Sequence, residues 1–290
     1  MSKISRRKFS ELMLGISLYG LINSAHARQY QNKPLRIISL GGAITEIIYK
    51  LNLQKYLVGI DATSNYPTDS QNYPSVGYAR TLSIEGVLSL NPTHILATED
   101  VGPPAFIRTI KNNKKINFEI LDSEYSFDGL INRVHRIGAI AGVANSAQTL
   151  IAQLNESWRF ANADEPISHA QPKVLFLLSH QASRILVSGR DTGAAAMIRY
   201  AGGMNAINSY AGYKPLNIEA FIQANPDVIL MTKQTEHLLS ASRALLKNRA
   251  LGSVAALKNN RLISIDANQL LGFGPRLPQT IIELRRELFA

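Results

Sequence analysis

The sequence predicts an α/β fold of two similar α/β lobes bridged by one long helix. Three observations carry that reading. Short apolar strands alternate with one-sided helices in both halves of the chain, which is the pattern of β–α–β construction. The stretch "TLSIEGVLSLNPTHIL" returns in kind as "PLNIEAFIQANPDVIL", and both Glu85/Glu219 and Pro92/Pro226 stand 134 positions apart (219 − 85 and 226 − 92). Between the halves lies a helical stretch long enough to act as a rod.

The elements follow in order. Residues 1–27 read as an export signal: a basic start with "SRRKF", a short apolar run from Leu12 to Ile22, and the small-x-small site Ala25-His26-Ala27. "SRRKF" suits either a twin-arginine or an ordinary secretory signal, and the mature chain then starts near Arg28. The first lobe, 28–124, opens with a strand, Leu35 to Leu40. A helix from Ala43 follows, with Ile44, Ile47, Ile48 and Leu51 on one face, and then a strand in "YLVGID". Ser83 caps the next helix, Ile84, Val87 and Leu88 form its buried stripe, Asn91-Pro92 ends it, and "THILAT" is a strand in which His94 is a packed residue. The connector, 125–165, holds a helix from Phe127 to Ala141 carrying Leu130, Val134 and Ile137. A second helix begins at Asn145 with Gln148 as its capping-box partner. Running to about Ala163, its nineteen residues span roughly 28 Å, enough to bridge two lobes. The second lobe, 166–290, repeats the plan. Lys173 to Ser179 is a strand, and Asp191 to Gly203 holds a helix that ends on glycine. Asn217 caps a helix with Ile218, Phe221 and Ile222 inward, and "DVILMT" is a strand.

Composition narrows the chemistry. At 290 residues with 46% apolar and 18% charged residues, the chain has the make-up of a globular protein. It has no cysteine, which excludes disulfides, thiolate metal sites and a cysteine nucleophile. The net charge of +10 falls to +7 without residues 1–27, since Lys3, Arg6, Arg7 and Lys8 against Glu11 carry +3. The basic residues are scattered, so an anionic small ligand is expected and nucleic acid is not. There is no H-E-x-x-H, G-x-S-x-G or G-x-x-x-x-G-K motif, and "GGAITE" lacks dinucleotide-fingerprint spacing; an enzyme is not expected. After the signal, no apolar run approaches the ~20 residues that a membrane span needs.

The segments "GGAITEIIYKLN", "LVGIDATSNYP", "VGYARTLSIEGVLSLNPTHILAT", "VSGRDTGAAAMIRYAGGMNAI", "GYKPLNIEAFIQANPDVIL" and "LLGFGPRLPQTIIELRRELF" together resemble the haem-binding proteins of bacterial haem ABC importers. These belong to a wider periplasmic group that also binds cobalamin and iron siderophores, and the likeness covers essentially the whole mature chain. The resemblance implies a ligand cleft between the lobes and a monomeric periplasmic carrier with haem as its transported ligand. Its implied partners are an inner-membrane ABC permease with its ATPase, and an outer-membrane haem receptor upstream. A cobalamin or ferric-siderophore carrier on the same scaffold is the alternative.

The resemblance further implies that Tyr78 is the axial ligand to haem iron and that Arg80 supports it. A phenol of ordinary pKa near ~10 binds weakly until ionised. Ferric iron favours the phenolate oxygen, and a nearby guanidinium favours the ionised form. His180, placed just after the strand Lys173 to Ser179, is the implied second ligand, with an ordinary structural histidine as the other reading; "QAS" after it departs from the glycine-rich family pattern. Lys233 matches a cleft position for a propionate where relatives often carry arginine, and Tyr213 either lines the cleft through the repeated Gly-Tyr or has a packing role. Glu85 and Glu219 are the implied docking residues for the permease, although an acidic residue in a first helical turn is also ordinary dipole chemistry.

Overall fold

In the computed structural model of the chain, residues 34–163, 171–181, 184–242 and 249–290 are described. The export signal and the expected mature start at Arg28 lie outside them. Two sheets form. The first is fully parallel, in the order β2-β1-β3-β4, from β1 (Ile37–Leu40), β2 (Leu57–Ile60), β3 (His94–Thr98) and β4 (Asn117–Leu121). Its central strands β1 and β3 are largely apolar and buried because helices cover both faces, while β4 at the edge carries Asn117 and Glu119. Ile37, Ile38, Leu40, Ile95, Leu96 and Ala97 are all buried. The covering helices are α1 (Gly42–Lys50), α2 (Ile84–Ser89) and α3 (Pro104–Asn112).

The second sheet runs in the order β10-β9-β5-β6-β8. Its strands are β5 (Lys173–Gln181), β6 (Arg184–Ser188), β8 (Tyr213–Pro215), β9 (Val228–Thr232) and β10 (Leu262–Ile265), while a short β7 (Met204–Asn205) pairs with the start of β5. The parallel part, β10-β9-β5, mirrors the first lobe; β6 and β8 add an antiparallel edge. The expected strand end at Ser179 is therefore two residues short. Antiparallel pairing with β6 carries β5 on to Gln181, so His180 lies within the strand rather than after it. Its helices are α6 (Gly193–Tyr200), α7 (Ile218–Ala224), α8 (Lys233–Ser242), α9 (Ala255–Lys258) and α10 (Ala267–Leu271).

The repeat holds down to the backbone. Ser83 Oγ accepts from the Gly86 amide and Asn217 Oδ1 from the Ala220 amide, so α2 and α7 are capped alike. Both helices stop at an asparagine in the left-handed region, Asn91 (φ 47°) and Asn225 (φ 40°), directly before the proline.

The connector is a helical hairpin of α4 (Phe127–Ile140) and α5 (Ala144–Ala161). The expected start of α5 at Asn145 with a capping box is corrected: the helix begins at Ala144 with Val143 as N-cap and no side-chain cap bond. Gly142 in the left-handed region (φ 70°) makes the turn. Gly138 lies so close to Ala147 that a Cβ there would fall 2.3 Å from the alanine methyl. That contact fixes the register. At 18 residues α5 is about 27 Å long. Leu150, Ile151 and Leu154 of α5 share one apolar core with Leu96 of the first sheet, Phe176 of the second, and Ile281 and Leu284 of α11 (Leu277–Phe289). Trp158, the only tryptophan, stacks on Phe127 of α4 (4.4 Å between centroids) and meets the edge of Tyr200 of α6 at 5.3 Å. No helix among the described residues is long and apolar enough to cross a membrane.

Candidate functional site

The C-terminal ends of β1, β3 and β4 deliver their loops to the side of the first lobe that faces the second, the usual ligand side of an α/β sheet. The Tyr-x-Arg segment enters there after β2. Gly77 sits at φ 92°, a left-handed turn that glycine adopts without strain, and its carbonyl accepts from the Ala62 amide at 2.8 Å. Ala79 then turns inward and is buried with Ile38, Leu40 and Phe106. Its two neighbours must turn outward. Tyr78 is 41% exposed, and the Arg80 side chain is exposed as well.

A second loop, just after β3, holds this segment. Gly102 N–H donates to Ala79 O (2.9 Å), and Leu82 N–H donates back to Gly102 O (3.1 Å). The loops run so close that a Cβ on Gly102 would stand 2.8 Å from Arg80 O. This pairing brings Asp100 under Arg80, whose Nε and Nη2 both donate to Asp100 Oδ2 at 3.0 and 2.9 Å. The Thr98 hydroxyl donates to Asp100 Oδ1 at 2.5 Å. Burial alone would raise the Asp100 carboxyl, but the hydrogen bonds from Thr98 and Arg80 and the Arg80 charge hold it below the usual carboxylate range. The guanidinium carbon lies over the Tyr78 ring, 5.9 Å from its centroid. Arg80 thus stands beside Tyr78, with its Nε and one Nη2 N–H directed to Asp100.

The second lobe supplies the facing wall. Gly212, at φ 77°, repeats the turn of Gly77 and presents Tyr213 at the end of β6-β8 pairing. The residue is 36% exposed, but its phenol reaches the start of α6, where it bonds with Thr192 and Ala194. Burial of the phenol, with a smaller push from Tyr125, raises its pKa to about 12 against those bonds and the Arg80 charge. Arg80, Tyr125 and Tyr213 therefore face one another across the gap. Tyr125 packs on Phe273 (5.4 Å, tilted) and against Gly193. Beside it a groove of about 550 Å³ runs between the lobes, lined by Glu99, Asp122, Glu124 and Tyr125 on one side and Asp191 and Arg199 on the other.

The remaining expected residues are more scattered. Lys233 is exposed at the first turn of α8, directly after the C-terminal end of β9. His180 is on β5, with its side chain outside the described residues. His94 is half-buried at the start of β3, its Nδ1 3.0 Å from Thr93 Oγ1, and burial lowers its pKa. Glu85 and Glu219 are both exposed in the first turns of α2 and α7. Among the described residues, no group of three or more His, Asp or Glu side chains is placed to hold a bare metal ion.

The family model described as "Periplasmic binding protein" matches residues 37–269, both lobes and the connector. The chain belongs to that family. Its members bind and carry substrates and are not enzymes. Among solved structures, the periplasmic haem-binding protein BhuT, in complex with two haems, is 35% identical over 87% of this chain and 97% of its own, with a TM-score of 0.81. The periplasmic haem-binding protein RhuT from Roseiflexus sp. RS-1, in apo form, is 33% identical over 89% and 98%, with a TM-score of 0.84. A vitamin B12-binding protein of Photorhabdus laumondii is 24% identical over 78% of this chain and 80% of its own. The family's two-lobed α/β architecture is the one described above.

Sequence reasoning missed Asp100, Thr98 and Tyr125. Their signal was positional: each follows a strand of the first sheet at its C-terminal end, or is that strand's last residue.

Proposed function

We propose that the chain captures haem between its lobes, with the Tyr78 phenolate on the iron, and hands it to the permease of an ABC importer. It does so in the periplasm, after loss of residues 1–27. The observation that carries this reading is the Tyr78–Arg80 pair, thrown to the edge of the gap by buried Ala79, in a chain about a third identical to two haem-binding proteins. An accessible phenol beside a fixed positive charge is a hard oxygen donor in waiting. Few protein donors suit a metal that brings most of its ligands with it, as iron in a porphyrin does. Tyr213, kept neutral, forms part of the facing wall. The carboxylates along the groove repel haem propionates, which leaves Arg199 of the groove wall and the exposed Lys233 as the cations for them in this reading. His180 on β5 is the partner ligand in this reading. Glu85 and Glu219, one per lobe on equivalent capped helices, contact the permease.

The vitamin B12-binding relative supports a second reading, a cobalamin carrier. Cobalamin needs no phenolate, so one titration separates the two. Haemin added to the purified protein should give a ferric tyrosinate spectrum that Tyr78→Phe abolishes, while cyanocobalamin produces no saturable binding. Tight cobalamin binding with no response to haemin would replace the haem reading. For docking, Glu85→Ala and Glu219→Ala should leave haemin affinity within twofold of wild type while uptake into vesicles bearing the permease falls at least fivefold. Undiminished uptake by the double variant would remove the docking role.

A further inference from the structure

The stretch that leads to Tyr78 is paired with the end of β2. Ile60 N–H donates to Pro74 O (3.0 Å), Val76 N–H to Ile60 O (2.9 Å) and Ala62 N–H to Gly77 O (2.8 Å). Asp61 lies between the two residues that make these bonds and is only 1% exposed. Its amide donates to Ser39 O of β1 at 3.0 Å, and its carboxylate accepts four bonds. Oδ1 receives Gly41 N–H (2.9 Å) and the Ser64 hydroxyl (2.6 Å), while Oδ2 receives Thr63 N–H (3.0 Å) and the Thr63 hydroxyl (2.6 Å). The loop gathered in this way also meets the second lobe, where Asn268 donates to Thr63 O.

We propose that Asp61 is a positioning residue of the ligand site: by gathering these donors it fixes the end of β2, and through the Ala62–Gly77 bond it sets where Tyr78 stands. The inference rests on Tyr78 being the iron ligand. A side chain 41% exposed is placed by its backbone more than by its packing. That backbone is anchored on either side of Tyr78, at Gly77 O by Ala62 and at Ala79 O by Gly102. The first anchor depends on Asp61, because each of its oxygens faces one backbone N–H and one hydroxyl. A hydroxyl can rotate to accept a bond, whereas a backbone N–H cannot. Asparagine has the same shape, but whichever way its amide is turned, the NH2 meets either Gly41 N–H or Thr63 N–H. Two buried donors then face each other without an acceptor, and the loop must shift to relieve them. A ligand site tolerates only about 0.5 Å of such displacement.

The test titrates wild type, Asp61→Asn, Tyr78→Phe and the double variant with haemin, recording the dissociation constant and the phenolate-to-iron charge-transfer band. Asp61→Asn should weaken haemin binding about tenfold and diminish the band, as fewer molecules place Tyr78 on the iron. In the Tyr78→Phe background the same substitution should change affinity by less than about twofold, because the two residues act through one contact. Wild-type affinity and an undiminished band in Asp61→Asn would overturn the proposal. So would an equal loss of affinity in both backgrounds, which would mean that Asp61 supports the cleft as a whole and not the Tyr78 turn. A tyrosinate band that survives in Tyr78→Phe would instead refute the ligand assignment on which the proposal stands. Should Asp61→Asn fail to fold, Thr63→Val withdraws a single hydroxyl from the same carboxylate, and it must give a smaller loss in the same direction for the proposal to hold.

Discussion

Tyr78 and Tyr213 follow equivalent left-handed glycines in the two lobes, yet their surroundings assign them different chemistry. Tyr78 stands in the open beside a guanidinium, whereas the Tyr213 phenol is packed against the start of α6. The elevated pKa of about 12 at Tyr213 has a direct consequence for stability. The unfolded chain releases this proton near ~10, so neutral Tyr213 contributes fully below that pH. Its contribution is lost as pH rises toward the folded value, because the unfolded state ionises first. Tyr213→Phe has no such group. Its urea midpoint should therefore fall less than that of wild type between pH 9.5 and 11.5, and equal slopes for the two proteins would contradict the burial of this phenol. At the same scale, Ala79 explains why Tyr-x-Arg works as a motif. A small apolar residue buried between two large polar ones forces both to one side.

At the scale of elements, the caps were the most legible features and the long-range pairings the least. Ser83 and Asn217 could be read directly, because a cap is a local bond between a side chain and an amide three residues on. Each replaced by alanine should cost about 1 kcal/mol in urea unfolding. The two costs should add, since the sites share no partners; a double variant no weaker than either single one would show that the helices fray without consequence. The start of α5 misled for the opposite reason. Asn145 and Gln148 have the spacing of a capping box, but the close Gly138–Ala147 contact starts the helix one residue earlier. The end of β5 was hidden in the same way, because a strand's length depends on its partner, here β6. The Arg80–Asp100 pair joins positions 20 apart through two irregular loops, which no periodicity encodes. Strand–helix alternation, the repeat and the Tyr-x-Arg turn were therefore visible in the residues. The inner geometry of the site came only with the packing of one loop on another.

Across the whole molecule the lobes are held together by more than the connector. Glu46 of α1 is only 4% exposed and accepts two bonds from Arg276, at 2.6 and 3.0 Å, from the segment before α11. The guanidinium also lies 3.9 Å over the Tyr66 ring, and Asn268 of α10 donates to Thr63 O and Asn65 Oδ1 beside it. Arg133, buried in α4, donates to Asp122 O of the first lobe and Phe273 O of the second. Burial raises the Glu46 pKa, and Arg276 opposes that rise. Arg276→Ala would leave the carboxylate buried and alone, a loss of about 3–5 kcal/mol at neutral pH. Glu46→Leu with Arg276→Leu should cost less than Arg276→Leu alone, because no unpaired charge remains. The pH dependence is fixed in sign. With Arg276 gone the Glu46 pKa climbs further, so the folded state takes up a proton more readily than the unfolded one. Glu46 then does no harm below its unfolded pKa of ~4.3 and destabilises as pH rises through the folded value. The deficit of Arg276→Ala relative to wild type should be smaller at pH 5 than at pH 8. If the deficit were the same at both, Glu46 would not be the group left stranded, and the clasp between the lobes would rest on the Tyr66 and Asn268 contacts instead.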